Sequence, residues 1–419
     1  MLTLFNKRNF LFTLRGFTLF SRFIFVIFIA KKLSVIDVGF YGFITAAIFV
    51  TVYMTGYEYG TYSAREILKC KNIPCQDKSI SSLTAFGLLM FVLISPVVYY
   101  FTSGNEVYEH ISLYYFFIIA YGESYIAEHK KVLVSLDHVI FSGVVDFIKT
   151  GAWVYLLISL VLYGWMEINL NVILLVWSLF VIFGCFLIFL KLRSSYKFSY
   201  LTNNINFKSY QEKIFASTPF LLSGISLLLI EISGRASLQM VGLQVEAGIY
   251  TFYAGFVFAI PIFIWSASVA LDHSKIISTF ESGNESKSNN LILIMTKRSL
   301  KLCLILVMIL AFGFGFIIDF VGNHEYSSNL NSFYFFLIVP FVHILDSHIC
   351  YFLYVRGMDK RIAISSGCGV ILLTIFQFFT LQEWQLFSVI ISILIAFTIS
   401  ICLKLLFMFN YKSKNLVII

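Results

Sequence analysis

Gly39-Phe40-Tyr41 and Gly248-Ile249-Tyr250 are two copies of one small phrase, and the 209 positions that separate them are half of a 419-residue chain. Each copy opens a long apolar stretch, residues 39–62 and 248–271, so the phrases mark equivalent helix starts in a duplicated membrane protein. A second pair, Leu136-Asp137-His138 and Met358-Asp359-Lys360, is offset by 222, which fits a second half with a slightly longer loop at about 272–297. Parallel repeats of this kind place a transport site between the halves.

Composition identifies the solvent. With 59% hydrophobic residues and only 12% charged, the chain lacks the polar surface that a water-soluble protein of this length needs. A helix needs roughly 20 apolar residues to cross the hydrocarbon core. Twelve stretches qualify as spans 1 to 12: residues 10–30, 38–62, 79–101, 112–128, 138–163, 170–190, 214–233, 248–271, 299–320, 332–355, 362–381 and 385–409. The expected fold is an all-α polytopic membrane protein, with twelve transmembrane helices in two pseudo-symmetric six-helix lobes, residues 1–200 and 201–419, joined by a cytoplasmic loop at about 191–213.

Lys and Arg in short loops stay on the cytoplasmic side. With both termini inside, 22 of the 30 cations fall on the inner side, and Lys31, Lys32 and Arg235 alone on the outer side. The other five, Arg15, Arg22, Lys149, Lys301 and Lys404, lie within spans. The net charge of +8 follows this topology and forms no continuous basic face, so no nucleic-acid partner is expected. The first apolar stretch is too long, and carries too many arginines, for a cleavable signal. The seven cysteines suggest neither a disulfide framework nor a metal site, since Cys70 and Cys75 lack His or Asp partners at metal spacing.

No phosphate-cradling loop, zinc motif or nucleophile elbow is present. The outer connections are about a dozen residues or fewer by the span limits set from helix length. The longest, 321–331, holds His324 and Glu325 without a paired acidic motif. Bond-making chemistry has little room, which sets a membrane polysaccharide polymerase behind a transporter, with no cofactor beyond a coupling H+ or Na+.

Charges at membrane depth are costly enough that each marks a candidate site. At 1.5 Å per residue Arg15 lies about 9 Å and Arg22 about 20 Å into span 1, on one face with Thr18 between them. A cationic stripe of this kind suits a phosphate, to which Arg offers bidentate donors, although Arg15 could also snorkel to the interface. Span 5 carries Asp146 and Lys149 three apart, and span 7 carries Glu231 and Arg235 four apart; each is either an internal ion pair or part of a cavity. Glu58 and Glu123, on spans 2 and 4, are candidate gate partners, with interfacial solvation as the alternative for Glu58. His343 and Asp346 on span 10 could carry a proton or make an interhelical hydrogen bond. Tyr53, Tyr57, Tyr250 and Tyr253 are candidates for a sugar platform, and packing is the plainer role.

The stretch Leu33-Ser34-Val35-Ile36-Asp37-Val38-Gly39-Phe40-Tyr41, with Gly234-Arg235-Ala236-Ser237-Leu238 before Gly248-Ile249-Tyr250 in the second half, resembles the O-antigen and polysaccharide flippases of the multidrug, oligosaccharidyl-lipid and polysaccharide (MOP) exporter superfamily. The likeness covers the whole chain in length and loop pattern, through short motifs. One position departs: the family often has an acidic residue just before the span 7 Arg, and here Gly234 stands there, with Glu231 one turn earlier. The resemblance implies a MATE-like body in the bacterial inner membrane. Its cargo would be undecaprenyl pyrophosphate bearing an oligosaccharide, its partners membrane lipids and other polysaccharide assembly proteins. Arg22, Lys149 and Arg235 are the expected headgroup contacts, with Arg15 as a first cation on the path. Glu58, Glu123, Asp146, Glu231, His343 and Asp346 are the groups expected in coupling or gating. Outward movement of about two negative charges across an inside-negative membrane releases roughly 4 to 5 kcal/mol per 100 mV. A drug or cation antiporter of the same superfamily is the alternative, and would need acids to dominate its cavity.

Overall fold

The computed structural model describes residues 2–70, 72–102, 111–194, 207–265 and 270–416, and among them all regular structure is helical. In hydrocarbon every backbone donor and acceptor must be satisfied within the protein, and a helix does so within one segment. The principal helices are α1 (Leu2–Lys32), α2 (Val35–Gly56), α3 (Tyr59–Lys69), α4 (Ile73–Thr102), α5 (Leu113–Ser135), α6 (Val139–Leu162) and α7 (Leu170–Arg193). They continue as α8 (Phe207–Met240), α9 (Gln244–Ile264), α10 (Ala270–Glu281), α11 (Glu285–Val321), α12 (Leu330–Val355) and α13 (Asp359–Leu416). Ten helices among the described residues are long and apolar enough to cross a membrane. One of these, α13, joins two helices across Gln385, whose backbone is non-helical (φ 45°, ψ −118°). Helix α5 falls outside the ten because every stretch long enough to cross holds at least three of Glu123, Glu128, Lys130 and Lys131. With α5 counted and α13 divided, the twelve spans of the sequence are accounted for.

The chain forms two compact units, Met1–Phe25 with Ile44–Leu221, and Val26–Phe43 with Leu222–Ile419. The expected loop at 191–213 includes residues 195–206, which lie outside the described residues. The second unit explains why the repeated phrase begins with glycine. A Cβ on Gly248 would lie 2.0 Å from the Val35 carbonyl oxygen, and one on Gly39 would lie 3.0 Å from the Gln244 carbonyl oxygen and the Gly248 nitrogen. The two phrases therefore meet, backbone against backbone, where the first turns of α2 and α9 cross. Small residues are what permit such an approach between helices in a membrane. Gly248→Ala is expected to cost about 3 kcal/mol, the upper end of overpacking penalties, because carbonyl backbone cannot move aside as a side chain can. Thermal unfolding in detergent would show it; Gly313→Ala, which meets open space, is expected to leave the midpoint unchanged.

The duplication is clearer in the structure than in the sequence. His129 on α5 places Nδ1 2.8 Å from the Tyr125 carbonyl and Nε2 2.9 Å from the Thr84 hydroxyl on α4. His348 on α12 repeats this with the Ile344 carbonyl at 2.7 Å and the Ser299 hydroxyl on α11 at 3.1 Å. The offset between the histidines is 219. The turns that follow agree: His138 N–H donates to Leu133 O at 2.8 Å across left-handed Asp137, and Met358 N–H to Leu353 O at 3.1 Å across left-handed Gly357. Position 137 thus corresponds to 357, not to Asp359, which is the first residue of α13. A shared Asp misregisters the sequence pairing by two, since backbone conformation decides the turn.

Two segments differ from the sequence reading. Span 2 stops at Gly56; Tyr57 and Glu58 are both left-handed (φ 52° and 54°), and the chain resumes as the amphipathic α3. The inserted loop expected at 272–297 is instead the end of α10, a short turn and the start of α11. A disulfide also joins Cys70 to Cys75, contrary to the expectation of no bridge. Asn72 accepts from the Cys75 N–H at 3.1 Å, folding the α3–α4 turn so that the two Cα atoms are 5.7 Å apart.

Candidate functional site

Charge in the first unit gathers where α1, α5 and α6 supply it, with Trp177 of α7 as a neutral donor. Helix α6 is interrupted by a π-helical turn, Ile148–Ala152, which carries Lys149. Such turns are frequent at functional sites, and the extra residue changes the direction of the side chains beyond it. Lys149 binds Glu123 of α5, whose other oxygen accepts the Trp177 indole N–H from α7 at 3.2 Å. Trp177 stacks on Trp153 (5.8 Å, 9°), and Trp153 meets the edge of Phe25. The aromatic wall lowers the local dielectric and strengthens the pair it encloses.

Asp146 does not pair with Lys149 three residues on. Its partner is Lys130 of α5 at 2.7 Å, and both side chains are about a third exposed (37% and 36%). Of the two roles that the spacing left open, the intrahelical pair is not formed, and two interhelical pairs stand in its place. Helix geometry makes i, i+3 contact available, but it cannot rank it against a partner from another helix. Arg22 of α1 lies within electrostatic range of both Asp146 and Lys149, and no carboxylate reaches it at ion-pair distance among the described residues. Two acids and three cations leave this group with one positive charge in surplus. Arg15, two turns earlier, is half-buried. The Thr18 hydroxyl donates to the Leu14 carbonyl at 2.9 Å, within its own helix.

The acids of the second unit are arranged differently. Asp346 of α12 takes the Lys404 ammonium on both oxygens, at 2.8 and 2.7 Å, and the two side chains are 7% and 1% exposed. His343 lies toward Glu231 of α8 across the helix interface, with Nε2 3.4 Å from the carboxylate, and Asp346 also acts on it electrostatically. Arg235 and Glu231 both act electrostatically on Tyr250, whose hydroxyl donates to the Glu231 carbonyl at 3.1 Å. Glu231, Arg235, Asp346 and Lys404 sum to zero, unlike the group around Arg22.

Gly234 has a steric reason. A Cβ there would lie 2.5 Å from both Tyr250 Cζ and Val389 Cγ1, so the acidic residue often found at this position in the resembled family has no room. Tyr250 and Tyr253 are buried in the second unit (0% and 1% exposed), with Tyr253 donating to the Tyr326 carbonyl. They are packing residues and not a sugar platform. Tyr57 places its hydroxyl 3.3 Å from that of Thr218, and Tyr53 is half-buried. Glu58 follows the α2 break and accepts from Lys131 at 2.8 Å and Thr61 at 2.6 Å. Lys130, Lys131, Glu128 and Lys404 are participants that sequence reasoning missed. The signal for three of them was Glu128-His129-Lys130-Lys131, charge enough to show that α5 is lined by partners.

No family model and no curated protein matches the sequence. Among solved structures the chain is similar to an inward-facing multidrug resistance MATE family transporter of the MOP superfamily, at 13% identity and TM-score 0.73, over 96% of this chain and 95% of that one. It is similar to the MATE multidrug transporter DinF-BH in a ligand complex (14% identity, TM-score 0.66, 96% and 95% covered). It is also similar to the lipid II flippase MurJ in an inward closed conformation (14% identity, TM-score 0.65, 96% and 87% covered). At these identities the likeness shows the fold alone, the one that these MATE transporters and MurJ share.

Proposed function

We propose that this chain flips an undecaprenyl-pyrophosphate-linked oligosaccharide, an O-antigen repeat unit, from the cytoplasmic to the periplasmic leaflet of a bacterial inner membrane by alternating access. The observation that carries this reading is the surplus positive charge at Arg22, set beside the Lys149–Glu123 and Lys130–Asp146 pairs. A pyrophosphate cannot enter hydrocarbon unaided, and a guanidinium whose donors are not already taken by a carboxylate replaces the water it loses. The paired lysines add donors while their acids keep the apo site from carrying three bare cations. Similarity to a structure described as a lipid II flippase supports a lipid-linked cargo of this class.

A second reading, a drug or cation antiporter, is favoured by the likeness to MATE multidrug transporters. A cationic drug would be repelled by the charge at Arg22, which sets this reading second. Deletion of the gene separates the two. The flippase reading expects lipid-linked repeat units to accumulate on the cytoplasmic leaflet. Outward-facing unpolymerised units would indicate a polymerase, and drug sensitivity with unchanged glycolipid an antiporter.

A further inference from the structure

We propose that Cys70 and Cys75 form a reversible thiol–disulfide site at the α3–α4 turn, one that exchanges with small thiols and disulfides of the cytoplasm. The inference does not depend on the cargo. It rests on the inner position that Arg65, Lys69, Lys71 and Lys78 predict for this turn. Disulfides that persist belong to oxidising compartments, whereas a bridge on the cytoplasmic side of a membrane is of the kind that opens and closes.

The two sulfurs sit at opposite kinds of helix end. Cys75 is the third residue of α4, a helix of 30 residues, and its N–H donates at 3.1 Å to Asn72 Oδ1, which caps that helix. The partial positive charge of a helix N-terminus stabilises a thiolate. Lys78, exposed and three residues on along the same face, acts in the same direction, while Asp77 is turned inward. Cys70 ends α3: its N–H donates to the Glu66 and Ile67 carbonyls at 3.2 and 3.1 Å, at the negative end of that helix. The Glu66 side chain is engaged by Lys213 at 3.2 Å. Cys75 is exposed and Cys70 half-buried. Cys75 is therefore the sulfur that a solvent-borne partner reaches, and Cys70 is the resolving thiol.

Closure takes two exchanges. The Cys75 thiolate attacks one sulfur of a small disulfide and expels the other half as a thiolate; the Cys70 thiolate then attacks Cys75 Sγ and expels the second half. Two cysteine thiols are oxidised to one disulfide, the small disulfide is reduced to two thiols, and the two cysteine protons pass to them. Opening runs the same steps backward with a small thiol. The closed bridge ties the end of α3 to the first turn of α4. One turn away, Glu66 meets the Ser79 hydroxyl of α4 at 3.4 Å and Lys213 of α8 at 3.2 Å. Opening leaves the end of α3 to these non-covalent contacts alone, so α3 frays more readily.

The test uses the full-length protein, in cells and purified, with each cysteine read separately by mass spectrometry after alkylation. In growing cells quenched with acid, Cys70 and Cys75 are expected as thiols, to bridge on addition of a thiol oxidant, and to reopen when it is removed. In the purified reduced protein, Cys75 is expected to be alkylated about threefold or more faster than Cys70 at neutral pH, with its midpoint at lower pH. Hydrogen exchange along α3 is expected to be faster in the reduced form than in the oxidised one, and Cys75→Ser to match the reduced form under both conditions. A pair that stays bridged in untreated cells, or that stays as thiols under the oxidant, overturns the site. Equal alkylation midpoints overturn the role given to Cys75, and equal exchange of α3 in the two forms overturns the hold on that helix.

Discussion

Arg22→Glu is expected to abolish export of the surface polysaccharide while the protein remains folded in the membrane. At about 4 Å and an effective dielectric of 20, a charge pair is worth about 4 kcal/mol, so reversal replaces an attraction to phosphate with a repulsion of similar size. A loss of only ~2.7 kcal/mol already lowers a rate about 100-fold, and at least that much is expected in flipping of a lipid-linked oligosaccharide. Arg22→Lys should retain part of the activity, because it keeps the charge and loses the planar fork. Arg22 is a member of neither ion pair in its group, so the reversal breaks no existing pair, and thermal unfolding in detergent checks that the variant folds. Lys149→Glu would be a poor test by comparison. It removes the partner of buried Glu123 and sets a third carboxylate beside Glu123 and Asp146, so loss of folding would mask loss of binding. Export that persists in Arg22→Glu would remove the basis for an anionic cargo.

The sequence made the spans, the duplication and the deep charges legible, because hydrocarbon imposes length, composition and cost on each segment separately. Partner choice was hidden for the same reason. Asp146 and Lys149 are three apart on one helix, and nothing in that spacing reveals that Lys130 and Glu123 of the preceding helix reach them first. Asp346 and Lys404 are 58 positions apart, and His343 is turned toward Glu231 on another helix. Interhelical pairing depends on packing, and in a membrane packing has weaker sequence signals than the helices themselves. The break at Tyr57 and Glu58 left no trace either, for those two residues are neither Gly nor Pro. Side chains from α5 hold a backbone that local propensity alone would not choose.

These hidden pairs divide the deep charges by role, and Asp346–Lys404 is the one that should matter most for stability. Each side chain is almost completely enclosed, and both carboxylate oxygens meet the ammonium. Removing one member strands the other without water or partner, at a cost of about 3–5 kcal/mol. Asp346→Asn and Lys404→Met should therefore each lower the unfolding temperature sharply and reduce the amount of protein recovered from the membrane. Replacing both with apolar residues of similar volume, Asp346→Leu with Lys404→Met, removes the stranded charge altogether, so the double variant should recover much of the loss. The cycle should yield a coupling of several kcal/mol, far above the few tenths usual for independent sites. Transport decides what the pair is for: a double variant that folds and still exports polysaccharide identifies it as a structural link between α12 and α13. One that folds as well as the wild type but does not export would show that Asp346 takes part in the transport cycle.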